Sequence, residues 1–164
     1  MDDKLAGLFL DYSCDKLEQM RSCLEVCLSK LIDEQVWERH GAHENAVGNL
    51  VLHLCGNMRQ WVMHGVGGAE DIRVRDAEFS ATTGMSCTEL IELFATTVAE
   101  ARKTIAAVSS ERLVEIIHPQ DRTVSVLGAI YQVVGHVQQH VGQIILLTKQ
   151  MTAQDLDLTI PRPR

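Results

Sequence analysis

The stretch Val124–Met151, VSVLGAIYQVVGHVQQHVGQIILLTKQM, decides the fold. It contains no proline. Val126, Ile130, Val133, Val137, Val141 and Ile144 recur at helical spacing, and Val134 and Ile145 widen the same stripe. The spacing predicts one helix of about seven to eight turns at roughly 3.6 residues per turn. A second line, Gln132, His136, His140 and Gln143, runs along one edge of the stripe. Its members stand four, four and three residues apart, so they share a face. Two imidazoles one turn apart beside a buried face are a pair of metal ligands in waiting.

Working outward, the rest of the chain reads as helices that would pack on this one. A first helix is expected over about Asp3–Ile32, with Leu5, Leu8, Leu17, Leu24, Leu28 and Leu31 in period. Residues 33–43 break the period and read as a loop with a short turn near Gln35–Trp37. A second helix is expected over Asn45–His64, with Asn45 as its cap. Its apolar stripe is bordered by the column Asn49, His53 and Asn57. Buried polar groups without partners cost about 1–3 kcal/mol each, so this column calls for partners. Residues 65–86 hold four glycines and mixed charge. They read as a crossover that lets helices two and three run parallel, or as a functional lid. Ser86-Cys-Thr-Glu89 has the capping-box pattern and opens a third helix reaching about Ser109. Leu113–His118 reads as an extended piece, and Thr123 or Ser125 as the cap of the last helix. Residues 155–164 read as an extended tail of a single domain spanning 1–164.

Composition narrows the function classes. The 164 residues are 46% apolar and only 4% aromatic, which favours helices packed through Leu, Val and Ile over a β-sandwich. Net charge is −7 and no basic cluster stands out, so no nucleic-acid partner is expected. No apolar run reaches about 18 residues, so no membrane span is expected. The opening residues do not read as a signal peptide. Five cysteines without a CxxC pair suggest free thiols in a reducing cytoplasm. Cys23 and Cys27, one turn apart, read as small core residues rather than soft-metal ligands.

His53, His136 and His140 are the candidate metal site. Neutral imidazole nitrogen binds zinc and similar divalent ions, and a catalytic site takes about three protein ligands and leaves a position open. Two readings of His53 stay open: a ligand, or a core histidine satisfied by Asn49, Asn57 or a carbonyl. Asn57, Gln139 and Gln143 read as groups that orient ligands, pack helices or face water. His40, His43, His64 and His118 lie in loops or at helix ends and read as exposed or capping, with His43 and His64 able to line the site's mouth. The chain has no GxSxG, P-loop or GxGxxG motif. A Cys55–His53 pair is disfavoured because residues two apart on a helix point apart. Glu115-x-x-His118 lies outside the expected bundle, which speaks against a di-iron carboxylate site.

The segments IDEQVWER, VGNLVLHLCGNMRQWV and GHVQQHVGQIILLTK together resemble the DinB-like superfamily of small helical metalloproteins, which includes thiol-dependent S-transferases. The likeness is to a branch with a GNLVLHLxGNxRQW-type second helix. The resemblance implies an all-α four-helix bundle, up-up-down-down, with a long crossover between helices 2 and 3. It implies a divalent metal, zinc or nickel, held by one His of helix two and two of helix four, which map onto His53, His136 and His140. It further implies a homodimer, and a small-molecule substrate or thiol activated at the metal. The alternative is a non-catalytic, stress-related module that binds a metal or small ligand.

Overall fold

The computed structural model describes residues 3–39, 41 and 43–158. The reading of His40 as a loop residue and the last six tail positions lie outside that set. Four long helices carry the chain: α1 (Asp3–Leu28), α3 (Val47–Met58), α5 (Cys87–Ala106) and α6 (Val126–Thr152). Two short ones sit in the links, α2 (Asp33–Val36) and α4 (Arg75–Ser80). Beyond Met58, α3 widens into a π-helix over Arg59–Val66. The Gly67 amide accordingly reaches back five residues to the Val62 carbonyl at 2.8 Å.

Local chemistry explains the boundaries. Ser86 caps α5 as expected: its amide donates to Glu89 Oε2 at 2.8 Å while its Oγ accepts from the Glu89 amide at 3.3 Å. Ser125 caps α6 by accepting from the Gly128 amide at 3.1 Å. The cap of α3 is Ala46 rather than Asn45: the Asn49 side chain takes the Ala46 amide at 3.1 Å, doing from inside the helix what a cap side chain does from outside. α1 stops short of the expected end because the chain turns at Ser29–Leu31. The extended piece before α6 pairs as a two-residue antiparallel ribbon, β1 (Ile116–Ile117) with β2 (Val124–Ser125). Leu156 folds back and is buried at the foot of the tail.

The bundle and its crossover stand as expected, and α1 and α3 each pack against both α5 and α6. The sense of the helices is read from side-chain contacts. Ser110 bonds Asp3, and the Cys87 thiol reaches the Leu31 carbonyl, so α1 and α5 are antiparallel. Trp37 donates to the Met85 carbonyl at 2.9 Å and lies over Gly48, so α3 and α5 start at the same end and run parallel. Cys27 meets Thr148, so α1 and α6 are parallel. The order is therefore up, down, down, up, rather than the up-up-down-down sense. The short link after α1 can only reverse the chain, and the crossover after α3 carries it back to its starting end before α5.

The core runs the length of the bundle through Leu17, Leu24, Leu54, Met58, Leu90, Phe94, Ile130, Val137 and Ile144, all buried. The five cysteines are free. Burial pushes the Cys27 thiol up to about 11 and the Cys55 thiol up to about 12, so both behave as small apolar residues. Among the described residues no helix is long and apolar enough to cross a membrane.

Candidate metal centre

Halfway along the bundle the antiparallel pair α3 and α6 turns His53, His136 and His140 toward one another. Ligand atoms from the three rings all lie within 4.8 Å of one another. His53 Nε2 is 2.9 Å from His136 Nε2. The rings stand nearly edge to face, with interplanar angles of 76°, 87° and 88°. Among the described residues this is the one group of three or more His, Cys, Asp and Glu side chains with such convergence. Cys23 and Cys27 are not among its members.

The outer nitrogens of two rings are held. His53 Nδ1 lies 3.0 Å from Glu78 Oε2. An ionised carboxylate only accepts, so this contact favours the hydrogen on Nδ1 and the lone pair on Nε2, although Arg73 Nη2, a donor, also lies 3.1 Å from Nδ1. His140 Nδ1 faces Gln143 Oε1 at 2.6 Å, which sets the same tautomer. Gln143 therefore orients a ring, one of the roles open to it from sequence.

Glu78 is itself gripped from behind. Arg73 Nε donates to Oε1 at 2.7 Å and Nη2 to Oε2 at 2.8 Å, a bidentate pair. The Arg73 side chain is only 3% exposed and that of Glu78 only 9%. Burial pushes the Glu78 carboxyl up, but the hydrogen bonds and charges of Arg73 and His53 outweigh it and hold the group below its ordinary value. Arg73 Nη1 also donates to Gln60 Oε1 at 2.9 Å.

Both residues come from the crossover, whose α4 was not expected. Asn49 ties that segment down by donating to the Glu78 and Ala81 carbonyls at 2.9 and 2.7 Å. Arg39 joins it, donating to Asn49 Oδ1 at 2.7 Å and to the Phe79 and Ala81 carbonyls. Phe79 packs its ring 4.8 Å from that of His53. The crossover is thus a fixed strap across α3. Its one sequence signal was Gly56, a glycine inside an apolar helix three residues after His53, where a Cβ would collide with Glu78 Oε1.

Burial, first of all, and then the neighbouring His140, His53 and Arg73 charges lower the His136 imidazole to about 4. His140 is lowered too, by burial foremost. Neutral rings are what a metal requires of its ligands. Ring nitrogens that converge, two outer nitrogens already engaged and the lowered His136 and His140 imidazoles all fit a divalent ion.

A cavity of about 690 Å³ opens beside His53 and His136, lined also by Asn57, Trp61, Gln120 and Gln132. His43 and His64 do not line it; His64 Nδ1 instead caps its own helix end at the Ala69 carbonyl, 2.6 Å away. His118 meets Thr123 at 3.3 Å, away from the three-ring cluster. Gln139 is exposed. Cys55 points away from His53, toward Thr97 on α5.

A family model described as "Protein of unknown function (DUF1572)" matches residues 4–164. Among solved structures, a conserved protein from Enterococcus faecalis superposes with a TM-score of 0.72 at 13% identity, covering 88% of this chain and 97% of that one. A DinB-like protein from Bacillus cereus ATCC 10987 superposes with a TM-score of 0.68 at 16% identity, covering 87% of this chain and 90% of that one. At such identities the likeness is one of fold, and the fold is the DinB-like helical bundle. No curated protein matches the sequence.

Proposed function

This chain belongs to the DUF1572 family, and on that footing we propose that it is a divalent-metal protein in which His53, His136 and His140 hold one ion. The observation that carries the reading is the convergence of three ring nitrogens from two helices within 4.8 Å, with the far nitrogen of His53 bonded to Glu78. Three imidazole nitrogen ligands suit zinc or nickel and leave at least one position open.

We propose further that the site is catalytic. The adjoining cavity lies within the roughly 300–1,000 Å³ range of small-molecule sites, and two of the three imidazoles line it. A bound divalent ion would supply Lewis acidity, lowering the pKa of a water or a small thiol placed at its open position. The protein's own part is to orient: Glu78 and Gln143 fix the ring tautomers, Arg73 holds Glu78, and Phe79 covers the His53 ring. Thiol transfer is the reaction we favour, by likeness to the DinB-like S-transferases, with hydrolysis as its alternative.

The test begins with metal content. Protein loaded with zinc or nickel and dialysed without chelator is expected to keep about one ion per chain, and His53→Ala far less. Equal retention by the two would sink the metal reading. A screen of thiols and electrophiles follows. Turnover that disappears in His136→Ala supports an enzyme, whereas metal binding without turnover supports the non-catalytic module. The free thiols support a cytoplasmic setting. Leu5, Leu8 and Tyr12, exposed on one face of α1, support a homodimer, which light scattering would test.

A further inference from the structure

The cavity beside the histidines has a charge opposite to that of the chain. The protein carries a net −7, yet the charged residues lining this cavity, apart from histidine, are Arg73, Arg75 and Arg122. Among the described residues no carboxylate lines it. The charge of Arg73 is answered by Glu78. Arg75 stacks its guanidinium 5.0 Å over the Phe79 ring and, among the described residues, pairs with no acid. Nor does Arg122. An acidic protein that gathers two unanswered arginines at one cavity has built a place for negative charge.

Two more observations point to a ligand. Asn57 is 9% exposed and lines the cavity, and its Oδ1 is buried with no hydrogen-bond partner among the described residues. A buried acceptor left open costs about 1–3 kcal/mol, and a turn of the Asn57 amide into the cavity would let it meet a donor there. The turn that carries Arg122 is also strained. Gln120 and Asp121 both have left-handed backbones, φ 56° and 58°, although neither is glycine. Trp61 Nε1 donates to Gln120 Oε1 at 3.2 Å and pins that turn against the cavity. Backbone strain held in place by a side-chain bond accords with a functional position.

We propose that this cavity binds a small metabolite bearing an oxyanion, carboxylate or phosphate, together with an O–H or N–H group. Arg75 and Arg122 grip the oxyanion through charge-assisted hydrogen bonds, and Asn57, its amide turned into the cavity, accepts from the donor group at Oδ1. The assignment names the substrate class of the site proposed above and rests on that reading for its catalytic meaning, but the binding itself needs only these residues.

The experiment is calorimetric titration of the metal-free and the zinc-loaded full chain with malate, with glycerol phosphate and with neutral glycerol. Wild type is expected to bind malate or glycerol phosphate and to ignore glycerol at the same concentration. Preference for malate assigns a carboxylate, and preference for glycerol phosphate a phosphate ester. Arg75→Gln and Arg122→Gln are each expected to weaken binding about tenfold, the value of one charge-assisted hydrogen bond. Both side chains are exposed, so the folds should persist, and circular dichroism checks this. Absence of binding by either anion, or unchanged binding in the double arginine variant, overturns the proposal. Zinc content separates it from the metal reading. Zinc without arginine-dependent anion binding removes this inference alone, while anion binding without zinc removes the metal reading and leaves this one standing.

Discussion

His53 Nδ1 and Glu78 Oε2 lie 3.0 Å apart, a contact between a bundle helix and the crossover strapped over it. It joins residues 25 positions apart in the chain and makes the crossover part of the site. A carboxylate behind a ligand imidazole raises the basicity of the ring and fixes its orientation. The first expectation concerns that carboxylate. Glu78→Ala should weaken metal binding by about 10–100-fold in a chelator competition. It should also destabilise the fold, because it strands the nearly buried Arg73 guanidinium; loss of one partner from such a pair costs up to about 3–5 kcal/mol. Glu78→Gln keeps an acceptor and should fall between. Metal affinity unchanged in Glu78→Ala would mean that the contact does not tune the site.

Gly56→Ala should behave against helix propensity. Alanine ordinarily gains about 1 kcal/mol over glycine inside a helix. Here the added methyl would collide with Glu78 Oε1, so the strap must lift. Lower melting temperature and weaker metal binding are expected together. A more stable variant with intact metal affinity would show that the strap is free to move.

Gln143→Leu tests the other oriented ring. It removes the acceptor that holds His140 Nδ1 at 2.6 Å. Gln143 is exposed on α6, so stability should change little, by less than about 0.5 kcal/mol. Metal affinity should fall several-fold, measured by the same competition. Equal affinity would leave Gln143 a solvated side chain.

Acid should weaken the metal-free fold over a defined window. The His136 imidazole is lowered by burial and neighbouring charge to about 4, against 6.5 for the free side chain. Between those values the unfolded chain binds the extra proton, so stability is fully present above about pH 6.5 and is lost as pH falls toward 4. The ring is partly exposed, so solvent screening cuts the full shift to an effect of about 1–2 kcal/mol. The lowered Glu78 carboxyl adds loss in the same direction at the acid end. Thermal melts of metal-free wild type and His136→Gln from pH 7 to 4 read this out: the variant's acid slope should be shallower. Parallel slopes would rule out His136 as its source.

Ser86→Ala serves as a control far from the site. It deletes the Oγ that accepts from the Glu89 amide, an N-cap contribution of about 1 kcal/mol, or roughly 2–4 °C in melting temperature at this size. Metal content should not move. A loss of metal in this variant would signal that affinity merely follows stability.

By itself the sequence determined what helical period and nearest-neighbour geometry can determine. The stripes of α1, α3, α5 and α6 and the i, i+4 placement of His136 and His140 follow from a repeat of 3.6 residues, and the Ser86 cap from its local capping-box pattern, while the structure chose Ser125 over Thr123 for α6. His53 was legible as a polar residue in a column beside a core, with its ligand and core readings level. Only the tertiary structure brought it 2.9 Å from His136, a residue 83 positions away. The same holds for Arg73, Glu78 and Arg122, charged side chains in links with no period, and for the directions of α1 and α6 relative to the parallel pair between them. Contacts of this kind depend on how the whole chain packs, and no run of adjacent residues encodes them.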